Sequence, residues 1–363
     1  MSEADRRRPE HSIAIAGGGI IGMSIAWRLA RGGWAVTVYE RAALGHEASW
    51  AGAGMLSPGG EIDTASPLAP LAIESRRLYP AFVRELEETL GSPIDYQECG
   101  GLDLAYSPAE LDALKDRAKR QSDLGIASKP VAAGQVSTFW PRVRTDKLAG
   151  ARFYPGDAIV NPRDVMSALA AACRARAVSV VESCSVCRAR ISPNEVAVET
   201  AHGAQNHSAL VIAAGAWSNS ISVSGTDPLP PVEPAKGHLI GYQQPQQTCN
   251  TIVRHGHIYI LQRANGLMIA GSSVERVGFD RDIQPEIIHS LAERAGFLFP
   301  HLRDTTPSEG WIGFRPASET LHMGMWGSPR LYLAYGHYRN GILLAPVTAE
   351  RVSAAINANL GMR

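Results

Sequence analysis

The stretch HSIAIAGGGIIGMSIAWRLARGGWAVTVYERAALG, residues 11–45, decides how the rest of the chain is read. Ser12 to Ala16 are small and mostly apolar, as in a parallel strand buried on both faces. Gly17-Gly18-Gly19-Ile20-Ile21-Gly22 follows, a GxGxxG with an extra glycine at 18. Ile21, Ile25, Trp27, Arg28 and Leu29 then fit a helix that Gly32-Gly33 should close. A second strand, Ala35 to Tyr39, ends on Glu40, 18 residues beyond Gly22. Strand, tight turn, helix, strand and acid form the pattern of a dinucleotide cradle. Gly17 permits the turn, Gly19 lets backbone approach a pyrophosphate, and Gly22 lets helix and strand pack closely. The helix N-terminus offers free N–H groups to phosphate, and Glu40 can accept from ribose hydroxyls. The alternatives are a ligand-free glycine turn and an export signal after Arg6-Arg7-Arg8. Against the signal, Arg28 and the glycines interrupt the apolar stretch, and no small-residue cleavage site precedes a mature domain.

A chain of 363 residues, 45% hydrophobic, is long enough to bury a large core and to form two lobes. Lys plus Arg number 35 and Asp plus Glu 35, so the formal net charge is zero. Nothing electrostatic points to nucleic acid or an anionic membrane as partner. No apolar run is long and unbroken enough to span a bilayer, and a soluble cytoplasmic protein is expected. Five cysteines suggest reduced thiols rather than a disulfide framework. Cys184 and Cys187 form a CxxC, but on a strand, positions three apart face opposite ways. No second Cys pair or His motif joins them, so packing thiols and no metal are expected.

Strand-like and helix-like segments alternate throughout, which indicates an α/β fold. Leu71, Leu78, Phe82, Leu86 and Leu90 trace an amphipathic helix that Gly91 should stop. Ser107-Pro108-Ala109-Glu110 is a capping box, and Asn161-Pro162-Arg163-Asp164 opens another helix. ALVIAAGAWS, residues 209–218, repeats the logic of buried strand and glycine turn. Pro-rich residues 227–237 read as a crossing between lobes, and HIYILQ and GLMIAGSS as a hairpin around Ala264-Asn265-Gly266. The strand RLYLAYG and the turn-helix HYRNGILLAPVTAERVSAAI return to the first style at the C-terminus.

Five stretches together carry a resemblance that covers essentially the whole chain, in order. They are the opening fingerprint, EASWAGAGMLSPGGE (47–61), VIAAGAWS, GFRP (313–316) and GHYRNGILLAP (336–346). The chain resembles the D-amino-acid oxidase superfamily of FAD-dependent oxidoreductases, and within it the glycine oxidase (ThiO) branch. The resemblance implies a Rossmann-like FAD-binding domain, discontinuous over 1–84, 155–226 and 312–363, with an inserted β-rich substrate domain over 85–154 and 227–311.

It also implies site residues. FAD would lie against Gly17, Gly19, Ile20, Ile21 and Gly22, with its ribose at Glu40 and Arg41. Ala48, Ser49, Ala53, Gly54 and Met55 would run beside the pyrophosphate and isoalloxazine, and the Val186 backbone would meet the adenine. His337, Arg339, Asn340, Gly341, Ile342 and Leu343 would wrap the pyrimidine side of the flavin, where a helix N-terminus stabilises negative charge. Arg315 would clamp the substrate carboxylate, supported by Tyr259 from the other lobe, with Arg339 as a second active-site arginine. A planar guanidinium suits that task because it binds a carboxylate at two points and stays charged when buried. His257 stays outside the catalytic set. The chain departs from the family in ASETLHMGMWGSPR (317–330), which keeps only Gly324 of the usual stretch, and in Val274, where some glycine oxidases carry a methionine near the substrate. Some relatives attach FAD through a C-terminal cysteine; none follows Cys249 here, so noncovalent FAD is expected.

The implied activity is oxidation of glycine or another small amine acid, such as sarcosine or a small D-amino acid, to the imine. Oxygen would be reduced to peroxide, and the product could feed thiamine thiazole synthesis. A D-amino-acid or secondary-amine dehydrogenase of the same fold, passing electrons to a quinone or carrier, is the nearest alternative. A nicotinamide dehydrogenase using only the first fingerprint and a noncatalytic flavin-binding module are the others. The expected partners are the amino acid and oxygen, and a homo-oligomer is left open.

Overall fold

The computed structural model describes residues 11–62, 67–248 and 251–361; Cys249 lies outside the described residues. Its first organising element is a six-stranded sheet. The strand order is His322–Trp326, Ser328–Tyr335, Ala209–Ile212, Ser12–Ala16, Ala35–Tyr39 and Ser179–Val181. All neighbours are parallel except the first pair, which forms an antiparallel hairpin at the edge. Alternation along Ser12–Ala16 explains why both faces are covered. Ile13 and Ile15 pack under the helices Ile20–Arg31, Leu68–Leu90, Pro162–Ala175 and Gly341–Leu360. Ala14 and Ala16 turn to the other face, against a four-stranded sheet carrying Val186, Ala189, Val196 and Val198. Ser12–Ala16 pairs on one side with the strand that follows it and on the other with one far later in the chain. Chain connections therefore diverge at its C-terminal end, which opens a crevice there.

An eight-stranded, mostly antiparallel sheet faces that crevice, ordered Glu309–Ala317, Glu233–Gln243, Leu267–Gly271, Ile258–Gln262, Ile252–His255, Gly101–Ala105, Gly150–Tyr154 and Lys129–Val131. Ile258 and Ile260 point to a core closed by the helix Pro285–Leu298. Tyr259 and Leu261 point the opposite way, toward Ala51 and Ala53. At Gly313 an added Cβ would lie 2.5 Å from the Ala51 Cβ, so a glycine is what lets this sheet approach the 48–51 helix. Trp311 fixes the contact by donating from Nε1 to the Ala51 carbonyl at 2.9 Å.

One expectation is corrected here. Arg315 and Tyr259 do not approach from opposite lobes; both stand on the eight-stranded sheet. Glu309–Ala317 pairs in unbroken antiparallel register with Glu233–Gln243, from Glu309 opposite Gly241 to Ala317 opposite Glu233. The strand therefore runs across residue 312, and the chain joins the parallel sheet only afterwards.

The local signals behave as their chemistry dictates. Gly91 ends its helix at φ 73°, donating to the Glu87 carbonyl at 2.8 Å. Ser107 Oγ accepts from the Glu110 N–H, while the Glu110 carboxylate accepts from the Tyr106 N–H. Cys184 is buried, Cys187 is exposed, and both are free thiols.

Candidate active site

Pro346 lies inside the last helix, Gly341–Leu360, and shapes one wall of the site. Proline has no N–H to give the carbonyl four residues back, at Ile342. The Tyr79 hydroxyl donates to that carbonyl at 2.7 Å. Ser75 Oγ donates to the Leu343 carbonyl at 2.6 Å and accepts from the Val347 N–H at 3.3 Å. The long helix Leu68–Leu90 thus clamps the interrupted first turn, whose start at Gly341 and Ile342 faces a cleft of about 1250 Å³.

Gly17, Gly19, Ile20, Ile21, Glu40, Arg41, Ala48, Ser49, Val186, His337 and Arg339 also line this cleft. Gly17 sits at φ 110°, and a Cβ there would meet the Ala213 carbonyl oxygen at 2.4 Å. The Glu40 carboxylate is buried and accepts the Gly18 N–H at 2.7 Å and the Ala42 N–H at 2.9 Å. It therefore braces the glycine turn as well as facing the cleft. Ser49 Oγ accepts the Ile20 N–H at 2.9 Å. Arg41 lies over the Trp217 ring at 3.9 Å and pairs with Glu47. His337 is buried, with its Nε2 3.0 Å from Thr348 Oγ1, and burial pushes its pKa down to about 3, so the ring is neutral. Three expected residues do not line this cleft or its neighbour. Gly22 packs against the Gly17 carbonyl, Asn340 is buried beneath the turn, and the Leu343 side chain belongs to the helical core.

A glycine turn without room for side chains, a helix N-terminus and a carboxylate at the second strand's end suit a pyrophosphate, ribose and adenine. The residues present thus fit FAD. Glu40→Ala is expected to weaken FAD binding by the ~1.5–3 kcal/mol of a hydrogen bond to a charged group. Titrating apoprotein with FAD and following flavin fluorescence measures this, and unchanged affinity would show that Glu40 takes no part.

A second cavity of about 600 Å³ shares Ala48, Gly52, Arg315, Arg339 and Ile342 with the first. Ala53, Gly54, Met55 and Tyr259 line it too, together with Glu61, Gly237, Leu239 and Ser272. Arg315 Nη2 donates to Ser272 Oγ at 2.8 Å and Nη1 to the Ser273 carbonyl at 3.1 Å. Among the described residues no carboxylate forms an ion pair with it. Burial lowers its pKa, partly opposed by Tyr259, while the positive charge of Arg339 lowers it further. Tyr259 is pushed up by burial, so its hydroxyl keeps its proton and can donate.

Arg339 is in the opposite condition. Its Nε and Nη2 meet Glu61 Oε2 and Oε1 at 2.9 and 3.1 Å, a two-point pair. Burial works against its charge, but Glu61 more than offsets this and holds its pKa above the ordinary value.

Glu61, Gly237 and Ser272 escape the sequence argument. The end of the stretch read as a crossing belongs instead to the strand Glu233–Gln243, and at Gly237 within it a Cβ would lie 2.2 to 2.5 Å from Arg315 guanidinium atoms. Val274 is 48% exposed and lines neither cavity, and His257 is exposed as well.

A nucleotide crevice on a parallel sheet, roofed by an antiparallel sheet that presents an arginine without a carboxylate partner, is the layout of a flavoprotein oxidoreductase. The family model FAD dependent oxidoreductase (DAO) matches residues 12–355, and the chain belongs to that family. It is 33% identical over 348 residues to glycine oxidase of Geobacillus kaustophilus, covering 94% of this chain and 92% of that one. The crystal structure of glycine oxidase from Geobacillus kaustophilus superposes with a TM-score of 0.90 at 32% identity, covering 96% of this chain and 95% of that one. The bifunctional ThiO/ThiG protein of Trichormus variabilis is 34% identical over 352 residues, covering 94% of this chain and 52% of that protein. The chain thus spans about half the length of that bifunctional relative. Among the described residues no helix is long and apolar enough to cross a membrane, and no cluster of His, Cys, Asp or Glu is placed to hold a metal.

Proposed function

We propose that this protein oxidises glycine or another small amine acid to the imine, with FAD held noncovalently in the larger cleft and oxygen as acceptor. The observation that carries the reading is Arg315, an arginine without a carboxylate partner in a cavity that merges with the nucleotide cleft. Its relatives named for glycine oxidation and for ThiO support the substrate class, and ThiO/ThiG supports a product used in thiazole formation. We place the FAD domain on residues 11–90, 155–226 and 318–361 and the substrate domain on 91–154 and 227–317, since Leu68–Leu90 packs under the parallel sheet and Glu309–Ala317 is an edge strand of the eight-stranded one.

Arg315 would take the carboxylate on the guanidinium edge left free by its bonds to Ser272 and Ser273. The protonated Tyr259 hydroxyl adds a donor beside it, and two points of contact fix where the α-carbon lies. Gly237 keeps the space that the guanidinium occupies. Oxidation needs the amine in its neutral form, and the Leu239 and Met55 walls favour an uncharged group. The bound flavin supplies the two-electron acceptance from the α C–H bond.

Anaerobic mixing of the purified yellow protein with glycine, sarcosine and D-amino acids tests this: visible flavin absorbance should bleach with at least one of them. No bleaching by any amino acid would remove the proposal. Fast bleaching with slow reoxidation in air would replace oxygen with another acceptor. Acid precipitation should leave the flavin in the supernatant, and colour retained in the washed pellet would mean a covalent bond.

A further inference from the structure

We propose that Glu61 sets the charge count of the substrate cavity: by occupying Arg339 it leaves Arg315 as the single uncompensated cation, and so admits amines bearing one carboxylate and disfavours those bearing two. This rests on the amine-acid reading above.

Among the described residues three charged side chains line the smaller cavity, Arg315, Arg339 and Glu61. If Glu61 were absent, two guanidinium groups would face one small space, a site suited to a dicarboxylate. With Glu61 present, both Nε and Nη2 of Arg339 are spent on its carboxylate, and the cavity keeps a net charge of one. The pair is largely shielded, with side-chain exposures of 28% for Arg339 and 14% for Glu61, so water screens it weakly.

Glu61 is also held in place. It closes the short helix Pro58–Glu61, donating its own N–H to the Ser57 carbonyl at 3.1 Å. Buried Asp157 anchors that helix by accepting the Ser57 hydroxyl at 2.5 Å and the Gly59 N–H at 3.0 Å, and Arg254 Nη1 reaches the same Asp157 at 2.8 Å. With its backbone fixed, swinging the carboxylate away to make room for a second anionic group would break its two-point pair with Arg339. A second substrate carboxylate would therefore meet Glu61 itself, a like charge.

Calorimetric titration of the FAD-loaded protein with acetate and with malonate reads the charge count directly, without turnover. Wild type should bind malonate no more tightly than acetate. Glu61→Gln should raise the malonate-to-acetate affinity ratio by on the order of tenfold or more, since it frees a cation for the second carboxylate. Glu61→Asp should keep the wild-type ratio, and the double variant Glu61→Gln with Arg339→Gln should return to it. Anaerobic flavin reduction by iminodiacetate relative to sarcosine should shift in the same direction in Glu61→Gln. An unchanged ratio in FAD-loaded Glu61→Gln overturns the proposal. If that variant does not fold, Arg339→Gln decides, because it exposes Glu61 and should weaken malonate more than acetate; equal weakening overturns the proposal. Failure of the wild type to be reduced by any amino acid would instead remove the oxidase reading, while the two carboxylate titrations would still decide the role of Glu61.

Discussion

Arg315→Ala should lower kcat/KM for a small amino acid by on the order of 10²- to 10⁴-fold while leaving FAD bound. The guanidinium is held by Ser272 Oγ and the Ser273 carbonyl, not by the glycine turn, so its loss does not reach the cofactor's anchor points. A contact with the carboxylate would be made in both the ground and the transition state, and would also set the position of the α-carbon. Apparent affinity and the rate of flavin reduction should therefore fall together. Arg315→Lys should recover only part of the loss, because an ammonium cannot make the planar two-point contact. Amines without a carboxylate should be indifferent to the change if they react at all. Stopped-flow reduction of the FAD-loaded variant under anaerobic conditions measures this, and wild-type rates would show that the carboxylate is held elsewhere.

Gly22→Ala should yield protein that folds around its core and retains little flavin. A Cβ at residue 22 would lie 2.0 Å from the Gly17 carbonyl oxygen and 3.3 Å from Ile15 Cγ2, atoms of the turn and strand that form the cradle. Relief requires the turn to move, and overpacking of this kind costs about 1–3 kcal/mol. If that cost falls on the bound geometry, FAD affinity drops by on the order of tenfold to a hundredfold. Gly33→Ala provides the contrast, for it sits at φ 90° with no heavy atom within 4 Å of the added Cβ. It should cost about 1 kcal/mol of thermal stability through backbone strain alone, with the flavin kept. The ratio of visible to ultraviolet absorbance of the purified variants reads the flavin content. Equal, wild-type content in both would place Gly22 outside the cradle.

The nucleotide half of the molecule was legible in the sequence because its signals are local. Gly17 to Gly22, the helix after them and Glu40 at the end of the second strand lie within one short segment, a strand–helix–strand unit whose two strands, neighbours in sequence, pair directly. Arg315 and Tyr259 were nameable from motifs, but their shared sheet was not, since it depends on the register of Glu309–Ala317 against Glu233–Gln243. Pro346 sits inside the stretch read as a turn running into a helix; only packing supplies Tyr79 to take up the Ile342 carbonyl it orphans and Ser75 to bridge the next turn. Glu61 is the clearest case. At the sequence level it is an ordinary acid at the end of a glycine-rich stretch, 278 residues from Arg339. The chain by itself determined a dinucleotide-type cradle, and its resemblance to a family put forward an arginine to hold a carboxylate. Tertiary structure decided which arginine stays free to do so, because charge compensation depends on distance in space and not on position along the chain.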